Sequence, residues 1–143
     1  MKTSFTFLFA FIVAISFSQS IVTWSPTYQL TLADFQSPES EINPALTSYS
    51  IYPGARIDFH FQMSSIEFMF TKNLNSKAKA TFNKNAAVII APDSTLANQL
   101  VAIGQYSFDL TELYTRKFRK ALFEQKNAFS KSNFYQTLFT QLH

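Results

Sequence analysis

The clearest pattern in the chain is an alternation. Between residues 56 and 73, RIDFHFQMSSIEFMFTKN, the apolar Ile57, Phe59, Phe61 and Met63 are interleaved with Asp58, His60 and Gln62. Ile66, Phe68 and Phe70 then alternate with Glu67 and Met69 beyond Ser64-Ser65. A period of two predicts half-buried strand, either two strands or one broken at the serines. Shorter strand signals lie at Ile21-Val22, over 46–52 ahead of the turn-forming Pro53-Gly54, and around 80–82 or 88–90. Ser25-Pro26 predicts a turn, and 36–45, QSPESEINPA, predicts a loop broken by Pro38 and Pro44.

After Pro92 the period changes. Apolar residues fall at 96, 100, 103, 110, 114, 118 and 121, with Ser107 filling the one gap. These are helical intervals. Asp93 or Ser94 stands where an N-cap would accept a bond from a first-turn amide. One long helix is expected over about 95–127, with Leu100, Ile103, Leu110 and Tyr114 on its buried face, and a second helix from about 131 to the end. The fold class this predicts is α+β: a small antiparallel sheet packed against one long helix in the C-terminal half, with a second short helix beyond it. The chain stops at LFTQLH without a helix-ending signal, which admits a natural domain end or a shortened chain.

The first residues belong to a different pattern. MKTSFTFLFAFIVAISFSQS has a basic start at Lys2, an apolar run from Phe5 to about Phe17, and small Ser16 and Ser18 two apart. That is the layout of a secretory signal peptide, residues 1–18, cleaved ahead of Gln19. The run is shorter than the roughly 20 residues of a membrane span. Residues 19–143 are then one exported domain with no membrane span after cleavage, periplasmic or secreted. The chain has no cysteine, so it has no disulfide, no thiolate metal site and no lipid anchor through an N-terminal cysteine. Export without disulfides suits a bacterial route. Seventeen phenylalanines against two glycines describe a packed domain, and a net charge of +3 does not indicate a nucleic-acid partner.

FDLTELYTRKFRKAL, residues 108–122, resembles a stretch of a family of secreted bacterial proteins, domain of unknown function 922, regarded as predicted zinc-dependent proteases. The family's helix reads H-E-Q-x-H-F-D-I-x-E-L-Y-A-R. Gln105, Phe108, Asp109, Glu112, Leu113, Tyr114 and Arg116 match it, and Leu110 is a like residue. The opening is similar too: Trp24, then YQLTLADFQSPES at 28–40, against the family's W-x-x-x-Y-x-L-T-W-x-D-F-x-G. What the resemblance implies is a zincin-like remnant, because the chemical positions depart. Histidines four apart on one helix face would hold the metal, and the glutamate beside the first would serve as base. Here those positions carry Ile103, Ser107 and Gly104 respectively. A tryptophan-bearing segment ahead of the helix is also missing from NKNAAV, 83–88, and the family's downstream motifs are not reached.

The remaining candidates have ordinary structural readings. His60 and His143 are the only histidines, and His60 is read as solvent-facing. Glu112 and Arg116 stand at i and i+4 in the stabilising order. Arg116, Lys117, Arg119 and Lys120 suit the negative end of the helix dipole or a weak anionic contact. No Gly-rich phosphate loop, dinucleotide fingerprint or serine-nucleophile elbow occurs. The reading assigns no catalytic residue, no metal ligand and no cofactor, and marks Ile103, Gly104 and Ser107 as degenerate motif positions. It describes a non-catalytic relative of secreted zinc proteases, with an envelope protein as the partner class. Two alternatives stay open: a hydrolase with an unrecognised or carboxylate-based metal site, and a small secreted structural domain without protease ancestry.

Overall fold

The computed structural model describes residues 20–60, 64, 66, 74–124 and 140. Six short strands precede one long helix: β1 Ile21–Thr23, β2 Glu41–Ile42, β3 Ser50–Tyr52, β4 Ala55–Phe59, β5 Ala78–Asn83, β6 Val88–Ala91 and α1 Ser94–Glu124. They form two three-stranded sheets, ordered β1-β5-β4 and β2-β6-β3. The first is antiparallel throughout. The second is mixed, since β2 runs parallel to β6 and β3 antiparallel. The α+β architecture of small sheets against a long C-terminal-half helix is therefore present, with the strands divided between two sheets.

The division has a local cause. Tyr52 pairs with Val88 and Ala55 with Phe82, so residues 83–87 oppose only Pro53 and Gly54. The surplus is wound into a 3-10 turn, Lys84–Ala86, and the ribbon formed by β3-β4 and β5-β6 bends there. Gly54 permits the bend. A Cβ at this position would land on the Asn83 carbonyl, whose own amide donates to the Gly54 carbonyl at 2.8 Å. The Asn83 side chain caps the inserted turn by accepting from the Asn85 amide at 3.1 Å.

Asp93 is the cap of α1: its Oδ1 accepts from the Leu96 amide at 2.8 Å, satisfying a first-turn donor. The face that α1 buries differs from the expected one. Ala97, Leu100, Val101, Gly104, Phe108, Glu112, Thr115, Phe118 and Leu122 are buried. Ile103, Leu110 and Tyr114 are 52%, 37% and 40% exposed; of the apolar positions in the expected pattern, Leu100 and Phe118 are the ones fully in the core. The true stripe contains a glycine, a threonine and a glutamate, which a count of apolar positions passes over, while the exposed stripe contains three large hydrophobes.

The core has two clusters along the helix. Phe35, Phe82, Ile89 and Phe108 centre the first, with the Phe82 ring 5.5 Å from both Phe35 and Phe108. Leu74, Ala78, Phe118 and Leu122 form the second, where Phe59 meets Phe118 edge-on at 5.1 Å. Among the described residues no helix is long and apolar enough to cross a membrane. The expected signal peptide lies outside the described residues, as does most of the second half of the alternating segment. Ile66, expected in a strand, has helical backbone; a period of two over a short apolar run does not by itself decide between strand and helix. Thr140 has helical backbone, and the other residues of the second helix expected from about 131 lie outside the described residues.

Candidate functional site

The three positions where the resembled motif would carry its chemistry do not converge. Ile103 projects into solvent. Gly104 is buried against the first core cluster, and a Cβ added there would sit 2.7 Å from Phe35 Cζ. Ser107 lines a groove of about 260 Å³ between α1 and strand β4, together with Leu110, Thr111, Tyr114, Ala55, Arg56 and Ile57. Among the described residues, the groove thus holds one hydroxyl from the motif and no imidazole or carboxylate. The Thr111 hydroxyl within it is engaged by the Ser107 carbonyl at 2.8 Å. No zinc site fits these side chains: a hydrocarbon and a lone serine give no strong ligand, and glycine gives no base. Among the described residues, no three His, Cys, Asp or Glu side chains come together in a geometry that could hold a metal. His60, just past the end of β4, is exposed and lies 3.2 Å from Asp58.

The matching residues, by contrast, do converge. Trp24 Nε1 donates to Asp109 Oδ1 at 2.8 Å, and Gln105 Nε2 donates to the same oxygen at 3.0 Å. Gln105 Oε1 in turn accepts from the Leu30 amide at 2.8 Å. The Arg116 guanidinium lies 5.2 Å from the centre of the Trp24 ring, within the range of a cation–π contact. Phe35 closes against Gly104. The opening segment and the helix signature, some 80 residues apart in sequence, are two sides of one junction.

Glu112 anchors the helix side of it. The expected i, i+4 pair is present, with Arg116 Nε 2.9 Å from Glu112 Oε1, and Arg119 adds a second guanidinium at 2.5 Å. Arg119 also donates to the Ala78 carbonyl at 3.2 Å, at the start of β5. Glu112 is 6% exposed, so this is a partly buried network and not the surface pair its spacing suggests. Asp109 and Glu112 point to different partners and do not act as paired carboxylates. Of the other cations in the cluster, Lys117 lies over the Tyr114 ring at 4.9 Å and Lys120 lies 3.7 Å from Glu124.

A second polar cluster is built largely on Tyr28, Thr31 and Asp34 of the similar opening segment, for which the sequence suggested no interaction. Asp34, 5% exposed, accepts from the Tyr28 hydroxyl at 2.7 Å and pairs with Lys84 Nζ at 2.9 Å through Oδ1. Its Oδ2 accepts from the Thr31 amide at 2.8 Å and hydroxyl at 3.0 Å. Burial alone would push the carboxyl up; Lys84, Thr31 and Tyr28 outweigh it and hold it below its ordinary value of 3.8. Lys84 is raised above 10.5, chiefly by its bond to Asp34. Tyr28 is raised above 10.0 by burial first and by Asp34 second. The lowered carboxyl contributes stability above the unfolded carboxylate range that is lost as pH falls through its folded value. The raised ammonium contributes stability below about 10.5 that is lost as pH rises through its own. The pair therefore supports the fold across the neutral range. Every oxygen of Asp34 is used, and none faces the groove. The Thr31-x-x-Asp34 spacing, a short-helix capping pattern, was the available signal.

No family model, curated protein or solved structure matches the chain.

Proposed function

We propose that this chain is a non-catalytic relative of secreted bacterial zinc-dependent proteases, exported to the cell envelope and acting there as a binding or scaffold protein. One observation carries the reading: several residues shared with the resembled family join the opening segment to the helix. Trp24 and Leu30 meet Gln105, Asp109 and Arg116. Such residues persist if the frame is retained for its shape. The chemical positions, Ile103, Gly104 and Ser107, supply neither ligand nor base, and the described residues that line the groove offer no substitute. Fold likeness is by itself poor warrant for activity, so the reading rests on side-chain chemistry.

Elemental analysis of protein purified in zinc-containing buffer, paired with a casein-cleavage assay, tests it. The expected result is far less than one zinc per chain and no cleavage above a buffer blank. Zinc near one equivalent, or cleavage that a chelator abolishes, would refute the non-catalytic reading.

A further inference from the structure

The large hydrophobes that α1 leaves exposed have a regular spacing. Ile103, Tyr106, Leu110 and Leu113 are all exposed, and they recur at steps of three and four, the repeat of a coiled-coil seam. Lys117 and Lys120 continue the same repeat. Phe108 and Thr115, central to the buried face, stand on the opposite side of the helix. The stripe therefore points away from both sheets. Exposed apolar surface of this kind marks an interaction site, and a heptad repeat asks for another helix with the same repeat. Among the described residues α1 is the one such helix.

We propose that two copies of this chain associate through antiparallel pairing of α1 with α1, about a two-fold axis at the level of Thr111 and Glu112. In that register Leu110 of each copy packs on Leu113 of the other. Tyr106 meets the stem of Lys117, and Ile103 that of Lys120. Beside the seam, Asp109 of each chain faces Arg116 of the other, at the flanking positions that set orientation in helix pairs. Asp109 commits Oδ1 to Trp24 and Gln105, and Arg116 commits Nε to Glu112. Each keeps charged atoms for its counterpart. On the other flank the Ser107 and Tyr114 hydroxyls face each other.

Charge selects both the register and the direction. Sliding the helices by one heptad sets Asp109 against Asp109 in one sense and Arg116 against Arg116 in the other. A parallel pair would stack Lys117 on Lys117 and Lys120 on Lys120 inside the seam, where an unpaired charge is costly. The antiparallel pair places these lysines at its two ends, where their ammonium groups reach water. Residues 103–120 span about 25 Å of helix, which is a short seam. It belongs with the weak, reversible interfaces that bury less than about 1,200 Å².

Sedimentation equilibrium and cysteine trapping of the purified protein test the proposal. Wild type should show a monomer–dimer equilibrium. Leu113→Lys, at an exposed position, should raise the dissociation constant about tenfold or more, since it sets a charge against Leu110 in both central layers. Circular dichroism monitors its helix, and the cysteine pair decides independently of that variant. The chain has no cysteine of its own, so Ile103→Cys and Lys120→Cys report the register. Mixed and mildly oxidised, these two variants should form a disulfide-linked pair, because residue 103 lies opposite residue 120. Neither should link to itself. Like residues would lie about 25 Å apart, far beyond the roughly 7 Å between Cα atoms that a disulfide bridges. A wild type monomeric at hundreds of micromolar would overturn the proposal and leave the stripe to another partner. So would a folded Leu113→Lys variant that dimerises like wild type, an Ile103→Cys variant that links to itself as readily as to Lys120→Cys, or a mixture that does not link.

Discussion

At the scale of single residues the most informative position is Gly104. It stands where a protease of the resembled family would hold its catalytic base, and its hydrogen is what allows Phe35 to close on the helix. Two effects compete when it becomes alanine. Helix propensity gains up to about 1 kcal/mol. Overpacking against a ring 2.7 Å from the new carbon costs about 1–3 kcal/mol. The second should win, because Phe35 is wedged between α1 and Phe82 and cannot swing away. Gly104→Ala is expected to lower stability by about 1–2 kcal/mol in a urea titration. In a Phe35→Leu background the same change should be neutral or stabilising. Equal costs in both backgrounds would show that the ring does not dictate the glycine. The sequence marked Gly104 as a missing base but gave no sign of what fills its place, because the contact joins residues 35 and 104, far apart in the chain.

At the scale of elements, what could be read from the sequence depended on how many neighbours decide each feature. The Asp93 cap, the extent of α1, the Ser25-Pro26 turn and the strand at 55–59 are set by adjacent residues, and they are where the local pattern puts them. The phase of α1 is set by what it touches. Two stripes compete, one through Ile103, Leu110 and Tyr114, the other through Val101, Gly104, Phe108 and Thr115. The first is richer in large hydrophobes, yet the second faces the sheets. Its polar members are satisfied internally: the Thr115 hydroxyl bonds the Thr111 carbonyl at 2.7 Å, and Glu112 is held by two arginines. The division into two sheets was equally hidden, since it depends on five residues facing two across the ribbon. The phase makes a sharp contrast for thermal melts of dilute protein. Ile103→Asp should cost under about 1 kcal/mol, as surface changes do. Phe108→Ala, at a fully buried ring, should cost about 3–5 kcal/mol. Comparable losses at the two sites would mean that the helix is turned the other way.

At the scale of the whole molecule, the opening segment is an integral strap across the sheet and helix. β1 adds to β5, and the Trp24 amide extends that ladder by donating to the Ala80 carbonyl at 2.9 Å. The indole then reaches Asp109, the Leu30 amide reaches Gln105, and the Gln36 amide donates to the Lys84 carbonyl at 2.9 Å. Asp34, Tyr28 and Lys84 lock the same strap to the turn after β5. A strap fixed at this many points has no way to leave while the core stays intact, because Leu30 and Phe35 are themselves core residues. The protein supplies its own reporter, since Trp24 is the single tryptophan. Its fluorescence reads strap docking, whereas far-UV ellipticity reads α1. The two urea transitions should coincide, as a cooperative single domain requires. Asp109→Ala removes the acceptor shared by Trp24 and Gln105 and should shift both midpoints together, by the equivalent of about 1–2 kcal/mol. A fluorescence transition that runs ahead of the ellipticity, in wild type or in the variant, would show that the strap detaches first and that the junction is an accessory to the fold and not its frame.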